Sequence, residues 1–154
     1  MTIKRFFQIY NFRQMVRRFW FCVAKFPMLP THRSSVLKLA GIDVKGICYV
    51  HGGVDFDPVF PECIHLAEKC AISSGVIILT HFRDTSRRTK VFLKGDVYIG
   101  KEAFLGQNTI VTKPVRIGEG AIVGAGSIVT KDIPPYEVWA GNPAHFIKKR
   151  VFVD

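Results

Sequence analysis

Acidic side chains are scarce in this sequence: 12 Asp and Glu stand against 22 Lys and Arg among 154 residues, a formal charge of +10. That imbalance points to an anionic partner (a phosphorylated cofactor, an acidic glycan, a membrane surface or nucleic acid) without choosing among them. No recognisable nucleic-acid motif accompanies it, which argues against the last of these. The four cysteines, Cys22, Cys48, Cys63 and Cys70, lack the paired spacing of a zinc or redox site. They are expected to be reduced, in a cytoplasmic protein. His32, His51, His65, His81 and His145 include no close pair of ligand spacing, so no metal is expected. Long apolar runs are missing as well. The basic, aromatic stretch KRFFQIYNFRQMVRRFWFCVAKFPMLP is interrupted by Arg13, Arg17 and Arg18, and reads neither as a secretory signal nor as a membrane span. It reads as a helix ending near Pro27, with two roles open: a cap on the end of the fold, or an interfacial helix at the anionic inner face of a membrane. A second helical stretch, RSSVLKLAG, has a cap at Ser34 or Ser35 and a stop at Gly41. Linker-like and low-complexity segments are also absent. The length suits one domain with a core that needs no disulfides.

What the sequence does contain is a period of six. Ile99, Leu105, Val111, Ile117, Val123 and Val129 are branched aliphatics in strict register, and the next residue is always Gly or Thr. Four residues after each come Ala103, Thr109, Val115, Ala121, Ser127 and Ile133, mostly small. Six matches neither a helix nor a strand, so the period marks an internal repeat. Strand alternation makes Ala103 and Leu105 both point inward while Phe104 points out. One short strand and one turn per repeat build a coil whose rungs stack. Upstream the register reads Val54, Phe60, Leu66, Ile72 and Ile78, with Pro58, Ile64, Cys70, Val76 and Phe82 four later. The next step falls at Asp84 and fails, then resumes nine residues late at Leu93, so the rung containing THFRDTSRRTK carries an insertion. Function concentrates at such interruptions.

The periodicity, together with VGAGSIVTKDIPPYEVWAGNPAHFIKKR at Val123–Arg150, resembles the hexapeptide-repeat acyltransferases. The maltose, galactoside and capsular-polysaccharide O-acetyltransferases are the nearest subgroup, and the likeness covers Val54 to Arg150. The resemblance implies an all-β core wound as a left-handed parallel β-helix, with a helical cap over 1–45, coils over 46–134 with a loop at 81–92, and a short C-terminal segment over 135–154. It further implies three hexapeptides per coil and a homotrimer. With nine inserted residues, outward positions form columns Val59, Ile77, Phe104, Ile122 and Phe92, Ile110, Ile128 with His65 below. A third column is Ala71, Tyr98, Arg116, Pro134. Two columns are then apolar, as a trimer interface requires.

The resemblance also distributes roles. A sugar hydroxyl needs its proton removed as it attacks a thioester, and imidazole, with an ordinary pKa of about 6.5, suits that task. His81 in ILTHFRD matches the family's catalytic histidine. Asp84 either orients His81 or its loop, or is an ordinary turn residue. Asp55, Phe56 and Asp57 align where the family carries an Asn-aromatic-Asn segment beside the acceptor. Asp55 and Asp57, with Asp84, are therefore expected to bind the acceptor sugar or glycan, although a solvated turn also accounts for Asp55. The donor implied is acetyl-coenzyme A, lying where Gly106, Gly124 and Gly126 let backbone approach. The backbone N–H of Gln107 serves the thioester oxyanion. Thr130, Lys131 and Lys148 lie beside the cofactor, with Lys149 and Arg150 near its phosphates or forming only a solvated basic face. Where the family usually has Pro-Gly, this chain has Lys113-Pro114. A non-catalytic hexapeptide scaffold or membrane-bound assembly subunit is the alternative.

Overall fold

The computed structural model describes residues 12–84, 86, 88 and 91–152. Sixteen short strands among them follow two helices, α1 (Phe12–Ala24) and α2 (Pro30–Leu39). The first face of the coil stacks β1 (Asp43–Val44), β4 (Ile64–Leu66), β9 (Val97–Ile99) and β12 (Arg116–Ile117). The second stacks β2 (Tyr49–Val50), β5 (Ala71–Ile72), β10 (Phe104–Leu105) and β13 (Ile122–Val123), closed by the hairpin β15 (Glu137–Gly141) and β16 (Ala144–Lys149). The third stacks β3 (Asp55–Phe56), β6 (Ile77–Ile78), β11 (Ile110–Val111) and β14 (Ile128–Val129). Outside the prism stands a two-stranded antiparallel arm, β7 (His81–Arg83) and β8 (Phe92–Lys94).

Both expected inward columns fill the axis. Leu105, Val111, Val123 and Val129 are fully buried, as are Ala103, Thr109, Ala121 and Ser127. Small residues at the second column fit because three walls converge on a narrow interior. Phe104 pairs with Ile122 and Ile110 with Ile128, in parallel ladders that rise by three plain hexapeptides per turn.

Lower down, the register differs from expectation. The inward residues are Val44, Val50 and Phe56, while Val54 and Phe60 are half-buried and Pro58 is exposed. Asp55 pairs with Ile77, a turn longer than three hexapeptides by four, and the extra chain includes the 3₁₀ turn Pro61–Cys63. Counting back by sixes from Leu66 crosses that insertion and shifts the phase. The coil accordingly begins at Asp43 rather than at 46. The second interruption is also longer than the sequence count. Ala71 pairs with Phe104, so that turn exceeds three hexapeptides by fifteen rather than nine. The outward columns change with it. Asp43, His65, Tyr98 and Arg116 share the first face, Tyr49, Ala71, Phe104 and Ile122 the second, and Asp55, Ile77, Ile110 and Ile128 the third. Phe92 belongs to the arm and Val59 to the first insertion, so neither stands in a column. Two faces still carry apolar columns and one is polar.

The helices close the lower end. Ala24 and Leu37 join the core, and Phe21 and Val36 pack against it. Arg33 binds this cap together: its guanidinium, 5% exposed, donates to the carbonyls of Ala24 (2.8 Å), Val50 (2.7 Å) and Phe26 (3.2 Å). Carbonyls left open at a helix C-terminus are good acceptors for a cation. α2 begins at Pro30 with Leu29 as its cap, earlier than the serines suggested, because a proline in the first turn sacrifices no intrahelical bond. Among the described residues no helix is long and apolar enough to cross a membrane. The outward side of α1 keeps Phe12 and Phe19 exposed.

Candidate active site

His81 stands where the chain leaves the third face and enters the arm, side chain 31% exposed. Its Nδ1 lies 2.5 Å from Oδ2 of Asp57, a carboxylate only 3% exposed. The same oxygen accepts from Thr80 Oγ1 (2.6 Å) and Thr80 N–H (3.1 Å), and Oδ1 accepts from Val59 N–H (2.9 Å). Burial alone pushes the Asp57 pKa up, but the bonds from the Thr80 hydroxyl, Val59, His81 and the Thr80 amide outweigh it and hold it below the ordinary carboxylate value. An ionised carboxylate only accepts, so the imidazole proton sits on Nδ1 and donates to it, leaving Nε2 as the basic nitrogen. Phe60 and Phe92 meet the imidazole edge-on, each with ring centroids 5.9 Å away.

The expected acceptor role of Asp57 does not hold: the carboxylate faces inward and is saturated by four donors. Asp84 receives the amide (2.9 Å) and hydroxyl (2.6 Å) of Ser86 and so closes a turn; Asp57, not Asp84, is the carboxylate at Nδ1. Asp55 is exposed on the third face and lines a cavity of about 80 Å³ with Lys25, Arg33 and Phe56. Pairing of Phe56 with Ile78 carries Asp57 to Thr80 and His81. Sequence spacing could reveal this partnership only once the four-residue insertion was known. Burial first, then Asp96, pushes the Cys63 thiol pKa up and disfavours its thiolate.

The expected donor residues separate onto three edges. Thr130 and Lys131 follow β14, as Leu79 and Thr80 follow β6, so they share the His81 edge two coils away. Lys131 Nζ lies 5.0 Å from the centre of the Trp139 ring. Gly106, Gln107, Gly124 and Gly126 follow the second face, and Gly126 N–H donates to Gln107 O (2.7 Å). A Cβ on Gly106 would lie 2.5 Å from Ala125 N, and one on Gly124 would lie 2.9 Å from Ala140 Cβ. The Ala125 amide of the next coil and the Ala140 methyl of the hairpin therefore occupy the space at those two glycines. Gly126 differs: its φ is +68°, and nothing lies within 4 Å of its absent Cβ. Lys148 and Lys149 are exposed on β16, opposite Val138 and Glu137. Arg150 lies on the remaining edge, donating to Gly120 O at 2.7 Å and stacking on Phe152 at 4.9 Å. One guanidinium nitrogen is thereby tied to the fold, on a different edge from His81. No cluster of metal-ligating residues occurs among the described residues.

The family description "Hexapeptide repeat of succinyl-transferase" matches residues 96–131. That stretch, less than a quarter of the chain, is similar to hexapeptide repeats. The chain's fold is the left-handed parallel β-helix. It is similar to a maltose O-acetyltransferase from Clostridium difficile 630, with TM-score 0.69 and 24% identity over 89% of this chain and 86% of that one. A hexapeptide-repeat acetyltransferase from Vibrio cholerae, solved with acetyl-coenzyme A, gives TM-score 0.74 and 15% identity over the same shares, 89% and 86%. Likeness at those identities concerns the fold. A relative from Lysinibacillus sphaericus, named "Probable macrolide acetyltransferase", is 51% identical over 57 residues. That match takes in 37% of this chain and spans about a third (32%) of the relative's length.

Proposed function

We propose that the protein is an acyl-coenzyme A-dependent O-acetyltransferase acting on a hydroxyl of a sugar or surface-glycan precursor such as capsule or lipopolysaccharide. One observation carries the reading: the buried Asp57 carboxylate, held by three further donors, lies at Nδ1 of a partly exposed His81, and Nε2 is the nitrogen left over. The V. cholerae neighbour solved with acetyl-coenzyme A and the C. difficile maltose O-acetyltransferase support the donor and the acceptor class. Acetyl-coenzyme A would supply an activated acetyl carbonyl and a thiolate leaving group. His81 Nε2 accepts the hydroxyl proton as the acceptor oxygen bonds to that carbonyl. The imidazolium so formed is stabilised by Asp57, and it returns the proton to the departing sulfur, so no charge or atom is left over. The Gln107 N–H makes no hydrogen bond within the described residues and is free to face an oxyanion. The open site at Gly126 and the ammonium of Lys131 fit a phosphorylated, narrow-armed donor, with Thr130, Lys148 and Lys149 adding to that path.

His81 and Gln107 lie on different edges of one prism. Both line one site only if a second copy supplies the other edge, and the apolar columns on two faces support a closed trimer. The exposed Phe12 and Phe19 of α1, next to Arg13 and Arg18, support peripheral contact with an anionic membrane on the cytoplasmic side. Co-sedimentation with anionic but not neutral vesicles checks that contact.

The deciding experiment is acetyl transfer against nucleotide sugars, lipid-linked sugars and oligosaccharides, corrected for hydrolysis, with wild type and His81→Ala. The variant should fold, bind acetyl-coenzyme A and lose roughly 10²–10⁴-fold in rate. Full transfer by His81→Ala on a verified acceptor would make the histidine structural and favour the scaffold alternative.

A further inference from the structure

The inserted arm presents a charged face beside the base that the proposed transfer does not use. In β7 and β8, His81 pairs with Lys94 and Arg83 with Phe92. Residues two apart along a strand share a face, and directly paired residues are neighbours on it. His81, Arg83, Phe92 and Lys94 therefore stand on one face of the arm, with Phe82 and Leu93 behind. Phe92 is 61% exposed, and Arg83 and Lys94 are exposed too. The Lys94 ammonium hangs 4.6 Å from the centre of the Phe60 ring, whose edge meets the imidazole. No ion pair occupies Arg83 or Lys94 among the described residues. The nearby carboxylate of Asp57 is buried under four donors and does not neutralise them.

Two aromatic rings around a base suit the apolar C–H face of a sugar ring. Two cations without an ion pair among the described residues, on the same platform, suit a carboxylate or phosphate on that sugar, where charge-assisted bonds are strongest. We infer that the acceptor is an anionic glycan, a sugar acid or phosphorylated sugar unit, held by Phe60 and Phe92 with its charge on Lys94 and Arg83. The inference rests on the acetyltransferase reading above. It assigns the arm a task as acceptor platform, and it gives part of the strong positive charge an address.

The test uses the full chain and two probes: a disaccharide ending in glucuronic acid and its carboxyl-reduced glucose counterpart. Wild type should favour the acid by roughly tenfold to hundredfold in kcat/KM, the range of a charge-assisted hydrogen bond. In Lys94→Gln and Arg83→Gln that ratio should fall toward one, chiefly through KM, with thermal melting unchanged. An acid-to-neutral ratio near one in wild type overturns the inference. So does a ratio that survives both substitutions. Binding of acetyl-coenzyme A by calorimetry without transfer to either sugar overturns the acceptor assignment alone. Failure to bind acetyl-coenzyme A removes the transferase reading with it.

Discussion

Replacing Asp57 by Asn and by Ala should give two very different enzymes. Three donors, Thr80 N–H, Thr80 Oγ1 and His81 Nδ1, converge on Oδ2, while only Val59 N–H reaches Oδ1. An amide can set its oxygen at the Oδ2 position and satisfy all three. Its NH₂ then confronts Val59 N–H, two donors with no acceptor between them, at a cost of about 1–3 kcal/mol. The proton stays on Nδ1 in Asp57→Asn, so Nε2 remains the base. What disappears is the charge that stabilises the imidazolium. The gap between charged and neutral hydrogen bonds, about 1–1.5 kcal/mol, corresponds to roughly a tenfold loss in kcat. Asp57→Ala abandons Thr80 and His81 together, frees the tautomer and should lose about 10²–10⁴-fold. Steady-state kinetics on a verified acceptor, with melting curves for both variants, measures the order. Equal inactivity of the two with native-like melts would refute the tautomer argument, and full activity in Asp57→Ala would reduce Asp57 to packing. Acid stability gives a second readout. The folded-state pKa of Asp57 is depressed, so its stabilising contribution is complete above the unfolded value of about 3.9 and is lost as pH falls through the folded one. Asp57→Asn should flatten the stability–pH curve in that acidic window.

Three further outcomes follow from the coil. Gly106→Ala should prevent folding or cost several kcal/mol, because its Cβ would sit 2.5 Å from the Ala125 amide, whereas Gly126→Ala meets open space and should cost about 1 kcal/mol for its left-handed φ; thermal denaturation showing equal losses contradicts the stacking argument. Ile110→Glu places a charge in the outward column of the third face and should turn a trimer into monomers in sedimentation, so a monomeric wild type sinks the interface reading. Lys131→Ala should weaken acetyl-coenzyme A binding by about 1–3 kcal/mol in calorimetry, and unchanged affinity removes Lys131 from the donor path.

The sequence by itself determined the repeat, because a buried side chain every sixth position is a local requirement of each rung. Leu105, Val111, Val123 and Val129 are fully buried for that reason, as are the small residues that alternate with them. It also pointed to His81, which sits where the period breaks. The lengths of the two insertions were not legible. An inserted loop leaves no periodic trace of how much chain it consumes, and only the ladders of Asp55 with Ile77 and Ala71 with Phe104 fixed both lengths. Every relation across an insertion changed accordingly: the outward columns, the inward place of Phe56, and the meeting of Asp57 with His81. Tertiary structure also decided what each glycine faces: the next coil at Gly106, open space at Gly126. A rung's own residues dictate which way its side chains point. What stands above and beside it depends on how far the chain travels before it returns.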